Sequence, residues 1–203
     1  MKIKELTVWC LAFVLTAACT NTSKTGNNEG NDDTSAAANS EMTTGGGDTT
    51  TAKSAYADIS ATKADTAGSG KAEFVQKDDG TVEMTLTVNF PKKANSSVAA
   101  HFHEHGDCGD AGAAAHGHWN PTNEPHGKWG EGQYHSGDIG NIKLDGEGKG
   151  EVKLSSNRWS IGGDEKTNIL NRAIIIHSGV DDYKSQPTGN SGSRIGCGII
   201  MAK

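Results

Sequence analysis

The stretch V-A-A-H-F-H-E-H, residues 98–105, decides how the chain is read, together with the G-D-C-G-D-A that follows it at 106–111. Side chains on a β-strand alternate between its two faces, so His101 and His103 share one side while Phe102 points to the other. That pattern describes a metal pincer on a strand anchored in a core. Imidazole is the commonest side-chain ligand for copper and zinc, and two rings on one face of a strand grip one ion without strain. Taken by itself the stretch also fits two histidines on a solvated face. The placing of the other histidines speaks against that: all eight lie between His101 and His177.

Around this strand, residues 54–203 are β-rich. Val82, Met84, Leu86 and Val88 alternate with polar neighbours, and Phe74-Val75-Gln76 precedes them across a D-D-G signal, which predicts a hairpin. Pro91 closes its second strand. Ile139, Ile142 and Leu144 lead through D-G-E-G-K-G into Val152-Lys153-Leu154, which reads as a second hairpin. The apolar runs at 173–176 and 195–201 suit strands buried on both faces. No helical period is sustained anywhere, and 27 glycines punctuate the short strands, so the expected class is an all-β antiparallel sandwich or flattened barrel. Two segments, 106–139 and 178–194, are long, polar and glycine-rich. Loops of that length in a compact domain are usually functional, and these contain or border every histidine.

Residues 1–18 open with Lys2 and Lys4 and continue into an apolar run ending in small residues, a secretory signal pattern too short to span a bilayer. L-T-A-A-C at 15–19 resembles the box of a bacterial lipoprotein, in which the cysteine, here Cys19, is lipidated and begins the mature chain. Thr16 stands where that box has a large aliphatic residue, so plain secretion is the alternative. From Cys19 to residue 53 the sequence is mostly Asn, Thr, Ser, Gly, Ala and Asp, which predicts a flexible tether. The expected organisation is therefore a signal peptide at 1–18, a lipidated cysteine with its tether at 19–53, and one folded domain at 54–203. Cys10 leaves with the signal, so Cys108 and Cys197 remain as an even pair in an oxidising compartment and are expected to form a disulfide. Closing so long a loop is worth roughly 4 to 5 kcal/mol in the chain-entropy model. The formal charge of −6 argues against a general nucleic-acid binder, and no later apolar stretch is long enough to cross a membrane.

Further motifs follow the pincer: G-H-W-N-P at 117–121, P-H-G at 125–127, Y-H-S-G-D-I-G-N at 134–141, I-H-S-G-V-D-D-Y at 176–183 and G-N-S-G-S-R-I-G-C-G at 189–198. With residues 98–105 they resemble the copper/zinc superoxide dismutases of the bacterial exported type, over essentially all of 54–203. The resemblance implies a Greek-key sandwich or flattened barrel with two long functional loops. It implies copper held by His101, His103, His118 and His177, and zinc held by His118, His126, His135 and Asp138, with His118 bridging the two ions. Cys108 and Cys197 match the disulfide that ties the metal-site loop to the final strand. Arg194 matches the arginine that receives the anion over the copper, and Asp181 the carboxylate that links a copper-ligand ring to a zinc-ligand ring. His105 and His116 have no counterpart role and read as solvated surface residues, with assistance in metal capture by one of them as the alternative. Lys184 is a candidate steering charge or a plain surface lysine.

These residue types suit the implied chemistry. Neutral imidazoles tolerate both oxidation states of copper, and three His with one Asp make a closed cage for redox-inert zinc. The implied reaction turns superoxide into dioxygen and hydrogen peroxide outside the cytoplasm, in the periplasm or cell envelope, with Arg194 and His118 as its catalytic side chains. A lipid anchor at the membrane and a homodimer are compatible with the resemblance. The alternative is a copper- and zinc-binding lipoprotein that stores or delivers metal without turnover.

Overall fold

The computed structural model describes residues 53–203; the signal segment, Cys19 and the tether up to residue 52 lie outside the described residues. Nine strands make up the domain: β1 (Ser54–Ala61), β2 (Ser69–Gln76), β3 (Val82–Asn89), β4 (Ser97–His103), β5 (Asp138–Lys143), β6 (Lys149–Ser156), β7 (Ala173–His177), β8 (Arg194–Ile199) and β9 (Met201–Ala202). They hydrogen-bond in the order β5-β4-β7-β8-β1-β2-β3-β6, every pair antiparallel, with β9 added alongside β1. The result is a nearly closed barrel. β1, β2 and β3 form a meander, whereas β4 lands beside β5 and β7 on the far side, which is the Greek-key excursion.

The alternating residues behave as their pattern requires. Val82, Met84, Leu86 and Val88 are all buried on the inner face of β3, and β2 pairs with β3 from Ser69↔Asn89 to Gln76↔Val82, so the first hairpin is present as expected. Phe102 of β4 is fully buried and faces Phe74, Trp159 and Trp119, with ring centroids 5.9, 4.9 and 6.4 Å away. Trp159 is held in turn by a hydrogen bond from Nε1 to the Ser136 carbonyl, 2.8 Å. This apolar cluster fixes the strand whose opposite face carries His101 and His103, and such a buried aromatic is worth roughly 3 to 5 kcal/mol against Ala.

Two sequence expectations need correction. β5 and β6 do not pair as a hairpin: β5 bonds to β4 and β6 to β3 along its whole length, so the two strands are the two edges of the barrel, joined by a tight turn at Asp145. Alternation shows that a segment is a strand but does not name its partner. The apolar run at 195–201 is likewise not one strand. Ile200 breaks away from β7 to exchange backbone hydrogen bonds with Asn171 and Arg172, and Met201 beyond it is half-exposed on β1.

The expected disulfide is present. Cys108 and Cys197 are bonded with Cα atoms 5.7 Å apart, which ties the segment after β4 to the middle of β8.

Candidate metal centre

The histidine face of β4 lies under the two long loops, and His101 and His103 are 0% and 1% exposed. Around them two groups of donors converge. His101, His103, His118 and His177 form one, and His118, His126, His135 and Asp138 form the other. Within each group one ligand atom per residue lies within 4.8 Å of all the others, and every member is buried. His118 belongs to both groups. β4 supplies the first two rings and the end of β7 supplies His177. His118 is delivered by an isolated antiparallel bridge between His103 and His118, continued by a hydrogen bond from Trp119 N–H to the Phe102 carbonyl.

The ring nitrogens divide into held and free. His101 Nε2 and His126 Nε2 both donate to the Asp181 carboxylate, at 2.8 and 2.9 Å on its two oxygens. His103 Nδ1 donates to the His116 carbonyl at 2.8 Å, and His177 Nδ1 to that of Gly192 at 3.3 Å. His118 Nδ1 lies 3.0 Å from Asp138 Oδ1. The other nitrogens are His101 Nδ1, His103 Nε2, His118 Nε2, His177 Nε2, His126 Nδ1 and His135 Nδ1. All six are buried; the first four have no polar partner among the described residues, while His126 Nδ1 and His135 Nδ1 lie 3.0 and 3.3 Å from the Asp138 carboxylate. Buried unpaired polar atoms are rare, and four of them in one group, beside three imidazole nitrogens gathered on the Asp138 carboxylate in the other, are what two bound metal ions would satisfy.

Electrostatics sort the groups further. Burial lowers the pKa of His101 and His103, and lowers His118 to about 4 and His177 to about 3, with neighbouring rings adding to the effect at His118 and His177. These rings are neutral at neutral pH, the form in which imidazole binds metal. At His126 burial acts in the same direction, but Asp138 and Asp181 together outweigh it and raise the pKa to about 9. Both carboxylates are themselves held below the ordinary range, because their histidine partners overcome the opposing effect of burial.

Arg194 opens β8 opposite His177. Its guanidinium donates to the Gly112 carbonyl and, at 2.5 Å, to the His116 carbonyl, so it is braced across the loop that also holds His103. Two bonds leave further N–H donors for an incoming anion. Lys184 lies in the loop beside Asp181, exposed, its backbone N–H bonded to Asp182. His105 and His116 are exposed as expected, although their rings meet each other.

Several positioning residues carry no sequence signal. Gln186 clamps the backbone of His126, accepting its N–H at 2.8 Å and donating to its carbonyl at 2.9 Å. Asn141 does the same for Asp181, at 2.8 and 2.9 Å. Gly189, with φ of +65°, passes so close that a Cβ there would fall 1.9 Å from Asp181 Oδ1. The Gln186 and Asn141 contacts join residues 60 and 40 positions apart, and nothing local announces them.

Two buried donor groups sharing one imidazole on the outside of an antiparallel barrel define a protein built for two adjacent metal ions. Residues 68–200 match the family model described as copper/zinc superoxide dismutase. "Superoxide dismutase [Cu-Zn] 2" of Aquifex aeolicus is 35% identical over 150 residues, 72% of this chain and 85% of the relative. "Superoxide dismutase-like protein YojM" of Bacillus subtilis is 33% identical over 136 residues, 65% and 69% of the two chains. Among solved structures, the clock protein EA4 superposes with a TM-score of 0.64 at 30% identity, covering 74% of this chain and 95% of its own. A double mutant of a SOD-like protein from Bacillus subtilis does so with a TM-score of 0.62 at 32% identity, covering 71% and 95%. The chain belongs to the copper/zinc superoxide dismutase family. Copper and zinc are that family's cofactors, and these buried imidazole nitrogens with Asp138 are donors suited to both.

Proposed function

We propose that the protein dismutates superoxide outside the cytoplasm, with copper on His101, His103, His118 and His177, and zinc on His118, His126, His135 and Asp138. The observation that carries this reading is the sharing of His118 between the two groups, with Nδ1 against Asp138 and Nε2 left without a partner among the described residues. An all-imidazole set suits a redox-active ion, and a set closed by a carboxylate suits an inert one. Bound copper supplies the one-electron couple, and bound zinc supplies fixed positive charge.

The chain's own residues do the rest. Arg194 receives the anion, and its braced guanidinium needs no reordering when superoxide arrives. A cleft that is locally positive focuses the field for a small anion even though the molecule as a whole is acidic. His118 Nε2, buried and with no hydrogen-bond partner among the described residues, is the atom placed to hold a proton and give it to the reduced oxygen species. Two superoxide ions and two protons become one dioxygen and one hydrogen peroxide.

The deciding measurement is a superoxide assay on protein whose copper and zinc contents have been determined. Turnover that is lost on removing copper and restored on adding it supports the reading. A fully loaded protein with no rate above buffer would instead favour metal storage or delivery, a reading made concrete by relatives described only as dismutase-like.

Export belongs to the same proposal. The apolar run before Cys19 and the oxidised Cys108–Cys197 pair support it. Membrane anchoring through Cys19 predicts palmitate labelling that a Cys19→Ser change abolishes; labelling that persists in the variant excludes Cys19, and none in the parent chain means plain secretion. Assembly as a homodimer is checked by sedimentation equilibrium.

A further inference from the structure

Outside the two buried groups, Glu104, His105 and His116 stand together on the surface, each offering a ligand atom within 4.8 Å of the other two. The rings of His105 and His116 meet edge to face with centroids 4.4 Å apart. Among the described residues none of the three side chains makes a hydrogen bond or ion pair with the protein, so their donor atoms are uncommitted. We propose that these three residues form a third metal site, exposed to solvent, that binds a divalent first-row ion, copper(II) in preference to zinc.

The juxtaposition is built by backbone. The antiparallel bridge between His103 and His118 continues outward: Glu104 N–H donates to the Gly117 carbonyl at 3.0 Å and His105 N–H to that of Ala115 at 3.2 Å. Arg172 pins the same segment through the Glu104 carbonyl at 2.6 Å. The two histidines are therefore set opposite each other on a ribbon held from both sides.

His116 adds a second observation. It sits at φ 62°, ψ −143°, a backbone region close to the one that glycine almost alone adopts. A glycine would relieve that strain, yet the chain carries a metal-ligating side chain there. Strained positions of this kind persist where the surroundings impose them, and they concentrate at functional sites. Its carbonyl is already engaged by His103 and Arg194, which accounts for the backbone but not for the ring.

Two imidazoles and one carboxylate are a ligand set found at zinc sites that keep an open position, and borderline-soft ions such as copper(II) and zinc prefer it to calcium or magnesium. Copper(II) stands above zinc in the affinity order of such sites. A surface hollow of about 360 Å³, which Glu104 and His105 help to line beside Trp119 and Arg172, leaves room for water to complete the coordination.

The test starts from protein already loaded with copper and zinc, so that the buried groups cannot take up the probe. Copper(II) alone is added under chelator competition, and bound metal is counted by elemental analysis, with nitrogen hyperfine coupling read by electron paramagnetic resonance. The proposal expects one further copper(II) per chain with nitrogen ligands. His105→Ala and, separately, the backbone-compatible His116→Gly should each weaken that ion more than about 100-fold, beyond the effect of altering an outer-shell partner, while the first copper and the zinc stay bound. His105→Ala should leave dismutase turnover unchanged. Uptake that stops once the two buried groups are filled, or a further ion that binds equally well in both variants, overturns the site. Because the measurement counts bound metal, it holds or fails whether or not the protein turns over superoxide.

Discussion

A Cβ at Gly189 would lie 1.9 Å from Asp181 Oδ1 and 2.6 Å from His126 Nε2, on a backbone that is already left-handed. Gly189→Ala therefore cannot be absorbed by a small shift and must push Asp181 off the two rings it orients. Outer-shell partners of this kind are worth about 10 to 100-fold in metal affinity, and chelator competition should show a loss of that size for zinc. At Arg194 the expected change is in rate. Arg194→Ala should lower the catalytic efficiency about 10-fold or more, flatten its dependence on ionic strength and weaken inhibition by small anions, with both metals retained. Kinetics unchanged in all three respects would remove Arg194 from the site. His126 governs proton release: with its pKa raised to about 9 it enters zinc binding charged, whereas the rings of the other group enter neutral. Calorimetry of zinc binding near neutral pH, repeated in buffers of different ionisation heat, should report close to one proton released; none released would mean that His126 is neutral before zinc arrives.

The helical turn at Asp110–Ala115 and strand β8 act as a unit because the Cys108–Cys197 bond and the Arg194 hydrogen bonds to Gly112 and His116 all join them. Replacing both cysteines by serine should cost about 4 kcal/mol by the loop-closure argument, read as a lower urea midpoint. It should also loosen the carbonyls that brace Arg194, so turnover should fall even where the protein remains folded. Much of this framework is legible in the sequence, because short-range alternation dictates which face is apolar. Residues 82–88 place β3, and His101-Phe102-His103 places the metal face of β4 against the Phe102 anchor. The pairing of β5 and β6 is not legible, since the same alternation serves two strands that bond to each other and two that bond elsewhere. Nor are the clamps made by Gln186 and Asn141, which join one loop to another across the finished barrel. The histidine motifs mark the region, but the sequence does not separate the six buried rings from His105 and His116 or say which nitrogen of each ring is held by hydrogen bonds.

Acidity should act on the entire domain once its metals are removed. His118 and His177 have folded pKa values of about 4 and about 3, below the ordinary 6.5, so the unfolded chain accepts protons that the native one refuses. Stability is then lost as pH falls from 6.5 towards those values. Asp138 and Asp181, also lowered, contribute stability above the usual carboxylate value of 3.8 and lose it below, which extends the decline. His126 has the opposite sign: its contribution is complete below 6.5 and disappears as pH rises through about 9. Thermal melts of chelator-treated protein should therefore trace a dome with a steep acid limb, and metal loading should flatten it. A metal-free melting temperature that stays level down to pH 4 would contradict the burial of His118 and His177 as neutral imidazoles.

Asp181 accepts from His101 with one oxygen and from His126 with the other. On the proposed assignment the two occupancies are thereby linked thermodynamically, and such linkage is reciprocal: the factor by which zinc strengthens copper retention must equal the factor by which copper strengthens zinc retention. Demetallation should accordingly be cooperative, each ion being held less tightly once its neighbour has gone, and Asp181→Asn should reduce the coupling to what the shared His118 carries.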